Sequence, residues 1–412
     1  MMNRLRNLGP GLLVTAAFIG PGTVTTASVA GASTGYAILW AIVFSIFATI
    51  VLQEMSARLG VVSREGLGEA LRTTFDNPVI KVAAIILVVT AIGFGNAAFE
   101  TGNVTGAALG LETLSGISPQ IWAIIVGVAA FALLASGAYK LIERVLVALV
   151  IVMSIVFILT AIIVIRPSDV GNILAGAFVP TIPAGALITV VALIGTTVVP
   201  YNLFLHASSV QEKWPESVPT REALAESRTD TTISIVLGGI ITVAILATGA
   251  AAFFGTGTEI TDAGQMAEQL EPLLGAFAKY FFAIGILAAG VTSAITAPLA
   301  AAYATSGALG WERNLRSMKF RAVWAVVLVV GTVLAALGTN PVAAIVFAQA
   351  ANGVLLPIIA VFLLFVMNRS DLLGEFKNGT VANILGVIIV VFAAALGVRT
   401  IYLALLTAGV IG

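Results

Sequence analysis

Three groups of polar residues interrupt an otherwise apolar chain, and their types and spacing limit the chemistry it can do. The first group is a pair of proline breaks. Gly20-Pro21-Gly22-Thr23 interrupts one apolar run, and Val199-Pro200-Tyr201-Asn202, preceded by Gly195-Thr196-Thr197, interrupts another. Proline removes an amide donor and clashes with the preceding turn, while glycine tolerates the unusual dihedrals that follow. Backbone freed at membrane depth must be buried in protein or line a wet cavity. The second group is Asn96, Glu100 and Asn103, whose i, i+4, i+7 spacing makes one polar face of a helix. An unpaired carboxylate inside a bilayer costs about 2.5 kcal/mol or more. Glu100 therefore reads as a cavity-facing acid that attracts cations or relays protons; the alternative is a protonated acid bonded to a neighbouring helix. The third group, Gln349 and Asn352 at i and i+3, either faces a substrate or ties helices together at about 0.6 kcal/mol per hydrogen bond.

Other polar residues carry less. Glu54 and Arg58, at i and i+4, read as a structural ion pair. His206, one turn beyond Asn202, is either part of a site or a helix–helix hydrogen-bond partner. The sequence offers no nucleophile–base pair, metal-ligand cluster or phosphate loop, so an enzyme is not expected and no cofactor is implied. The absence of cysteine removes disulfides and thiolate metal sites, and a single histidine leaves little room for a His-based metal cage. A net charge of zero points to no nucleic-acid partner.

The elements that must position these residues are transmembrane helices. Hydrophobic residues make up 59% of the 412, charged residues only 10%, and the mean hydropathy is +1.08. A soluble domain carries about 25% charged residues. The long apolar runs suffice to cross a hydrocarbon core of roughly 30 Å. Eleven spans are expected, near 10–31, 36–57, 82–109, 121–138, 145–165, 184–208, 230–254, 272–303, 321–338, 341–367 and 381–398. With the N-terminus cytoplasmic, every lysine and arginine except Arg166, Lys279 and Arg399 falls on the inner side, as the positive-inside rule requires. The basic start, Arg4 and Arg6, resembles a signal peptide only superficially, because its apolar run breaks at Gly20-Pro21-Gly22. An all-α, monomeric, multi-pass protein of the cytoplasmic (inner) membrane is expected, a single transmembrane domain over 1–412.

The two breaks fall five spans apart. Spans 1–5 (about 10–165) and 6–10 (about 184–367) then form two units, the second inverted because each holds an odd number of spans, with an extra helix at about 381–398. Interrupted segments at corresponding places of inverted repeats are the best sequence pointer to a transporter's midplane site.

Several motifs carry a family likeness along nearly all spans. They are Leu52-Gln53 with Ala57-Arg58-Leu59-Gly60, Pro200 with Asn202-Leu203-Phe204-Leu205-His206, Leu287-Ala288-Ala289-Gly290, Gln349 before Leu356-Pro357, and Gly374-Glu375-Phe376-Lys377-Asn378 leading into Asn383-Ile384-Leu385. On these the chain resembles the NRAMP metal-ion transporters, and the resemblance implies a LeuT-type 5+5 inverted-repeat fold with helices 1 and 6 broken. It also implies metal ligands that are missing here. Gly20 and Thr23 stand where the family has the aspartate and asparagine of Asp-Pro-Gly-Asn. Val199 and Tyr201 stand where it has the methionine and histidine of Met-Pro-His-Asn. Thr196 matches a backbone-carbonyl position, Gln349 a polar ligand-side residue, and His206 a family histidine. Glu100 matches the first of two acids in span 3, with Asn103 replacing the second.

Those replacements bear on the substrate. Soft sulfur ligands favour transition metals, and a dehydrated divalent ion needs a counter-charge that Gly20, Thr23, Thr196, Val199 and Tyr201 do not supply. Two substrates remain. One is a divalent cation that keeps much of its water, as magnesium prefers, in a pocket widened by Gly20 and Val199. The other is a small organic solute held by hydroxyls such as Thr23, Thr26, Thr196, Thr197 and Tyr201 at the half-helix ends. A transporter without proton coupling is the favoured expectation, with a non-transporting sensor on the same fold as the other class.

Overall fold

The computed structural model describes residues 9–137, 140–312, 314–338 and 340–407. Among them the chain is helical and forms no strand. Its helices run α1 (Pro10–Phe18), α2 (Pro21–Thr34), α3 (Leu39–Ser63), α4 (Leu67–Thr74), α5 (Pro78–Ser115), α6 (Pro119–Ser136), α7 (Lys140–Val164), α8 (Val170–Phe178) and α9 (Leu187–Thr197). They continue as α10 (Pro200–Lys213), α11 (Thr220–Phe253), α12 (Ala263–Glu268), α13 (Glu271–Leu274), α14 (Ala278–Leu309), α15 (Met318–Leu337), α16 (Pro341–Met367), α17 (Ser370–Leu373) and α18 (Thr380–Thr407).

Ten helical segments among the described residues are long and apolar enough to cross a membrane, α9 and α10 counting as one. The remaining expected span is α1 plus α2, at 9 and 14 residues each too short to cross alone. Helix ends differ from the hydropathy limits where helices run on into polar sequence. Thus α5 covers Pro78–Ser115 where 82–109 was expected, and α11 begins at Thr220, ten residues before its apolar part. The eighth span, expected from 272, opens with the separate turn α13. Gly275, at φ +54°, ends that turn before α14 starts at Ala278. Ala138 and the basic residues Arg4, Arg6 and Arg313 lie outside the described residues.

Helix starts follow local chemistry. Asn77 accepts from the amides of Val79 and Ile80 at 2.9 and 3.3 Å, with Pro78 at the first helical position of α5. Asn340 does the same for α16 through Ala343 N.

Without a water-driven hydrophobic effect between helices, membrane helices associate by close backbone approach and interhelical hydrogen bonds. Small residues set that approach here. A side chain at Gly31 of α2 would strike the Leu246 carbonyl of α11, and one at Gly249 of α11 would meet the Ser28 backbone of α2 at 2.7 Å. Likewise a side chain at Gly195 of α9 would strike the Gln349 carbonyl of α16, and one at Gly290 of α14 would come within 2.6 Å of Ala107 of α5. The result is a bundle in which α2, α5, α9, α10, α14 and α16 converge on the two breaks.

The Glu54–Arg58 pair forms as expected, at 3.1 Å, but does more than link one helix turn. Arg58 also donates to Asn378 Oδ1 and to the Phe376 carbonyl, both at 2.7 Å, while Arg228 Nε donates to Glu54 at 2.9 Å. Asn378 donates on to Asn383 at 3.0 Å. The Gly374–Asn378 motif is therefore a clasp that fastens the α16–α18 connection to α3, and α11 is held through Glu54.

Replacing Gly31 by alanine is expected to force α2 off α11 and lower thermal stability in detergent. Overpacking of this kind costs about 1–3 kcal/mol. A melting temperature equal to that of the parent would show that the two helices are free to separate.

Candidate functional site

Both breaks place an extended residue before a proline. Gly20 (φ −115°, ψ −173°) precedes Pro21 at the start of α2, and Val199 (φ −77°, ψ 120°) precedes Pro200 at the start of α10. At the first helical position the missing N–H is one the helix would have left unpaired anyway. Each second half-helix therefore begins cleanly, with its positive end at the break.

The breaks touch one another. Thr23 Oγ1 and Thr196 Oγ1 are 2.7 Å apart, and Thr23 also donates to the Phe18 carbonyl, so Thr196 supplies the proton between them. Gln349 of α16 lies over Gly22 so closely that a Cβ there would collide with its amide. Its Nε2 is 3.4 Å from where a Gly102 Cβ would stand, and Gly106 similarly admits Pro21. Three glycines thus let α5, α16 and the first break meet.

Tyr201 is fully buried, with its ring edge-to-face on Phe99 at 5.5 Å between centroids. Glu100, also fully buried, has its stem against Gly331 of α15; its Oε2 accepts from Asn103 Nδ2 at 3.2 Å. Several of these groups have no hydrogen-bond partner within the protein: Tyr201 OH, Glu100 Oε1, Asn103 Oδ1, Asn202 Oδ1 and both polar atoms of Gln349. Leaving a buried polar group unpaired costs about 1–3 kcal/mol. Four of these atoms, Glu100 Oε1, Asn103 Oδ1, Asn202 Oδ1 and Gln349 Oε1, are acceptors that a ligand bringing donors would satisfy, while Tyr201 OH and Gln349 Nε2 can donate. Among the described residues no three His, Cys, Asp or Glu side chains gather into a metal-holding group.

Other expected site residues are placed differently. Around Gly20 and Val199, expected to widen a pocket, neighbouring groups stand close. Ser293 Oγ of α14 closes to 3.0 Å from where a Gly20 Cβ would stand, and Val199 is buried. Interiors pack to nearly constant density, so a neighbouring helix takes up space that a lost side chain leaves. Asn96 does not join the Glu100–Asn103 pair, because its Nδ2 donates to Ile92 of its own helix at 2.8 Å. Asn352 sits opposite Gly95, with Nδ2 unpartnered. His206 Nδ1 meets Gln53 Oε1 at 3.0 Å, linking α10 to α3, while Nε2 has no protein partner. Asn202 Nδ2 reaches the Val14 carbonyl of α1 at 3.5 Å, so it too touches both broken helices.

One anchoring residue was missed from sequence. Asp230 of α11 is buried and accepts the backbone amides of Gly9 and Gly11 at 3.0 and 2.7 Å, capping α1 from across the chain. Its partners are backbone amides more than two hundred residues away, which leave no local pattern to read.

Comparison with known proteins places this geometry. The family described as natural resistance-associated macrophage protein-like matches residues 11–403. The divalent metal cation transporter MntH of Mesorhizobium japonicum is 33% identical over 324 residues, covering 75% of this chain and 70% of that protein. MntH of Klebsiella pneumoniae is 28% identical over 397 residues, covering 95% and 93%. Among solved structures, an Eremococcus coleocola manganese transporter superposes with a TM-score of 0.78 at 22% identity, covering 97% of this chain and 86% of that one. MhsT in complex with L-phenylalanine gives 0.60 at 15%, covering 95% and 97%. At such identities the likeness shows the fold, the LeuT-type arrangement with helices 1 and 6 broken.

The hydroxyl bridge between the breaks predicts a coupling. In a double-mutant cycle of Thr23→Val and Thr196→Val, thermal unfolding is expected to give about 1 kcal/mol of interaction energy, the net worth of one buried hydrogen bond. Strictly additive losses would mean the two hydroxyls do not depend on one another.

Proposed function

The chain belongs to the Nramp family, and from that premise we propose that it is a secondary transporter moving a divalent cation across the cytoplasmic membrane by alternating access. It is not an enzyme; its relatives are transporters. The N-terminus lies in the cytoplasm in this reading, and one chain holds a complete pathway between its two repeats.

The substrate we propose is a magnesium-like ion that keeps part of its water. The observation carrying this is the set of buried acceptor oxygens without a hydrogen-bond partner on the second broken helix and on the helices packed against the breaks: Gln349 Oε1, Asn202 Oδ1, Asn103 Oδ1 and Glu100 Oε1. A bare ion would need several carboxylate or thioether ligands held on it. A hydrated one presents water hydrogens, which are the donors these oxygens lack. Magnesium dehydrates reluctantly and is usually held through one or two carboxylates and several waters. Glu100 would then supply the counter-charge, through water or directly, and the positive ends of α2 and α10 would be offset by it. Pro21, Gly22 and Pro200 keep the half-helix ends in place, and Thr23 and Thr196 set the distance between them.

Proton coupling is not part of this reading. Gly20 and Tyr201 stand at the positions of the family's aspartate and histidine, which removes titratable groups from the breaks. His206 is engaged with Gln53.

Proteoliposomes with magnesium, manganese, calcium and small organic amines or acids side by side test the substrate. Saturable magnesium uptake is expected, with no acidification of the lumen reported by a pH-sensitive dye. Saturable manganese binding at micromolar levels, uptake of an organic solute in place of the cation, or substrate-driven acidification would each overturn part of the reading.

Glu100→Gln keeps the shape and the Asn103 contact but removes the charge. Uptake of the divalent ion is expected to fall at least about tenfold, because a tenfold change corresponds to about 1.4 kcal/mol and hydrogen bonds to charged groups are worth about 1.5–3 kcal/mol. Undiminished uptake would show that Glu100 is a neutral structural residue.

A further inference from the structure

On the face that the charge pattern assigns to the outside, the connection between α11 and α14 folds inward instead of arching over the surface. Ala263, Met266, Ala267 and Leu270 are all buried, and α12 packs between α14 and α5. Gln269, directly after α12, is fully buried in a segment that hydropathy reads as an ordinary polar loop. Its Nε2 donates to Ser28 Oγ of α2 at 2.8 Å and to the Met266 carbonyl at 2.7 Å. Its Oε1 accepts from Thr248 Oγ1 of α11 at 3.1 Å. One amide thus joins the second half of the first broken helix, the helix beside it and the inserted connection.

The position of that junction gives it a function. A cavity of about 920 Å³ opens on this face, bordered by Thr34, Tyr36, Asp169, Thr248 and Gln269. Ser28 lies less than two helical turns beyond Thr23, so Gln269 stands between this vestibule and the breaks. Below it, Thr23, Thr196 and Tyr201 are buried. Gly31 and Gly249 hold α2 and α11 in backbone contact beside the latch.

We propose that Gln269 is the latch of an outer gate: its amide closes the passage from the vestibule to the broken helices, and the gate opens when its bonds to Ser28 and Thr248 break. The latch is neutral, so its strength does not depend on pH or salt in the way an ion pair would. Its nitrogen donates to Ser28 Oγ, and its oxygen lies within reach of both the Ser28 and Thr248 hydroxyls, at 3.2 and 3.1 Å. A carboxylate at 269 would lose the donor to Ser28, and a methionine would lose both bonds at similar volume.

The chain contains no cysteine, so one introduced thiol reports without background. Ala27→Cys, buried on α2 beneath the latch, is labelled in intact proteoliposomes with a membrane-impermeant maleimide. Adding Gln269→Met is expected to raise the labelling rate about tenfold, and adding Ser28→Ala or Thr248→Val, which remove one partner each, about threefold. Gel filtration and melting temperature establish that each variant is folded; the single-partner variants keep the test decisive should the change at 269 unfold the chain. Labelling rates unchanged in all folded variants would overturn the proposal. The readout needs no substrate, so it stands or falls separately from the identity of the transported ion.

Discussion

A proline cannot donate a backbone hydrogen bond, and inside a bilayer no water is at hand to replace it. Pro21 and Pro200 place that problem twice in one small volume, and much of the bundle is arranged around it. Each break is shielded by other helices, bridged to the other through Thr23 and Thr196, and covered by α5 and α16. A single break would be a kink. Two breaks facing each other create a place where half-helix ends and hydroxyls converge, which an unbroken bundle cannot build.

Close packing serves that arrangement. Gly22, Gly102 and Gly106 are not conformational devices; they are the thickness that has been removed so that Gln349 and Pro21 fit. At position 20 the neighbour is polar: Ser293 Oγ stands 3.0 Å from where a Cβ would be, so a hydroxyl borders the first break there. Selectivity in such a site rests on which atoms lack partners, and only secondarily on volume.

The fold was largely legible because its signals are additive over many residues. Apolar runs, basic loops and the repeated Gly/Pro interruption each sum over long stretches, so the spans and the broken first and sixth helices could be read directly. Boundaries were less legible because hydropathy senses the hydrocarbon slab while helices such as α11 continue past it. Within the site, Glu100 and Asn103 were found together because one helix face carries both. Asn96, spaced equally well, turned out to bond its own helix, since periodicity gives the face of a side chain but not its rotamer. Gln269 and Asp230 were not found, for they act across distant parts of the chain and their partners are backbone amides and hydroxyls without any local pattern.

The helix that carries Glu100 has a property that sets it apart from the broken ones. At 38 residues α5 is about 57 Å long, nearly twice the roughly 30 Å hydrocarbon thickness. Its inner portion presents Val79, Val82, Ile86 and Phe94 outward, while the stretch from Phe99 to Gly110 is enclosed by protein. Half of this rod is thus solvated by acyl chains and half by neighbouring helices, with no hinge between them. A thicker or thinner bilayer changes the preferred tilt of the exposed half, at a fraction of a kcal/mol per ångström of mismatch, whereas packing against neighbouring helices sets the tilt of the enclosed half. The lipid-facing half of this helix thus answers to bilayer thickness, while the half that carries Glu100 is held by the helices around it.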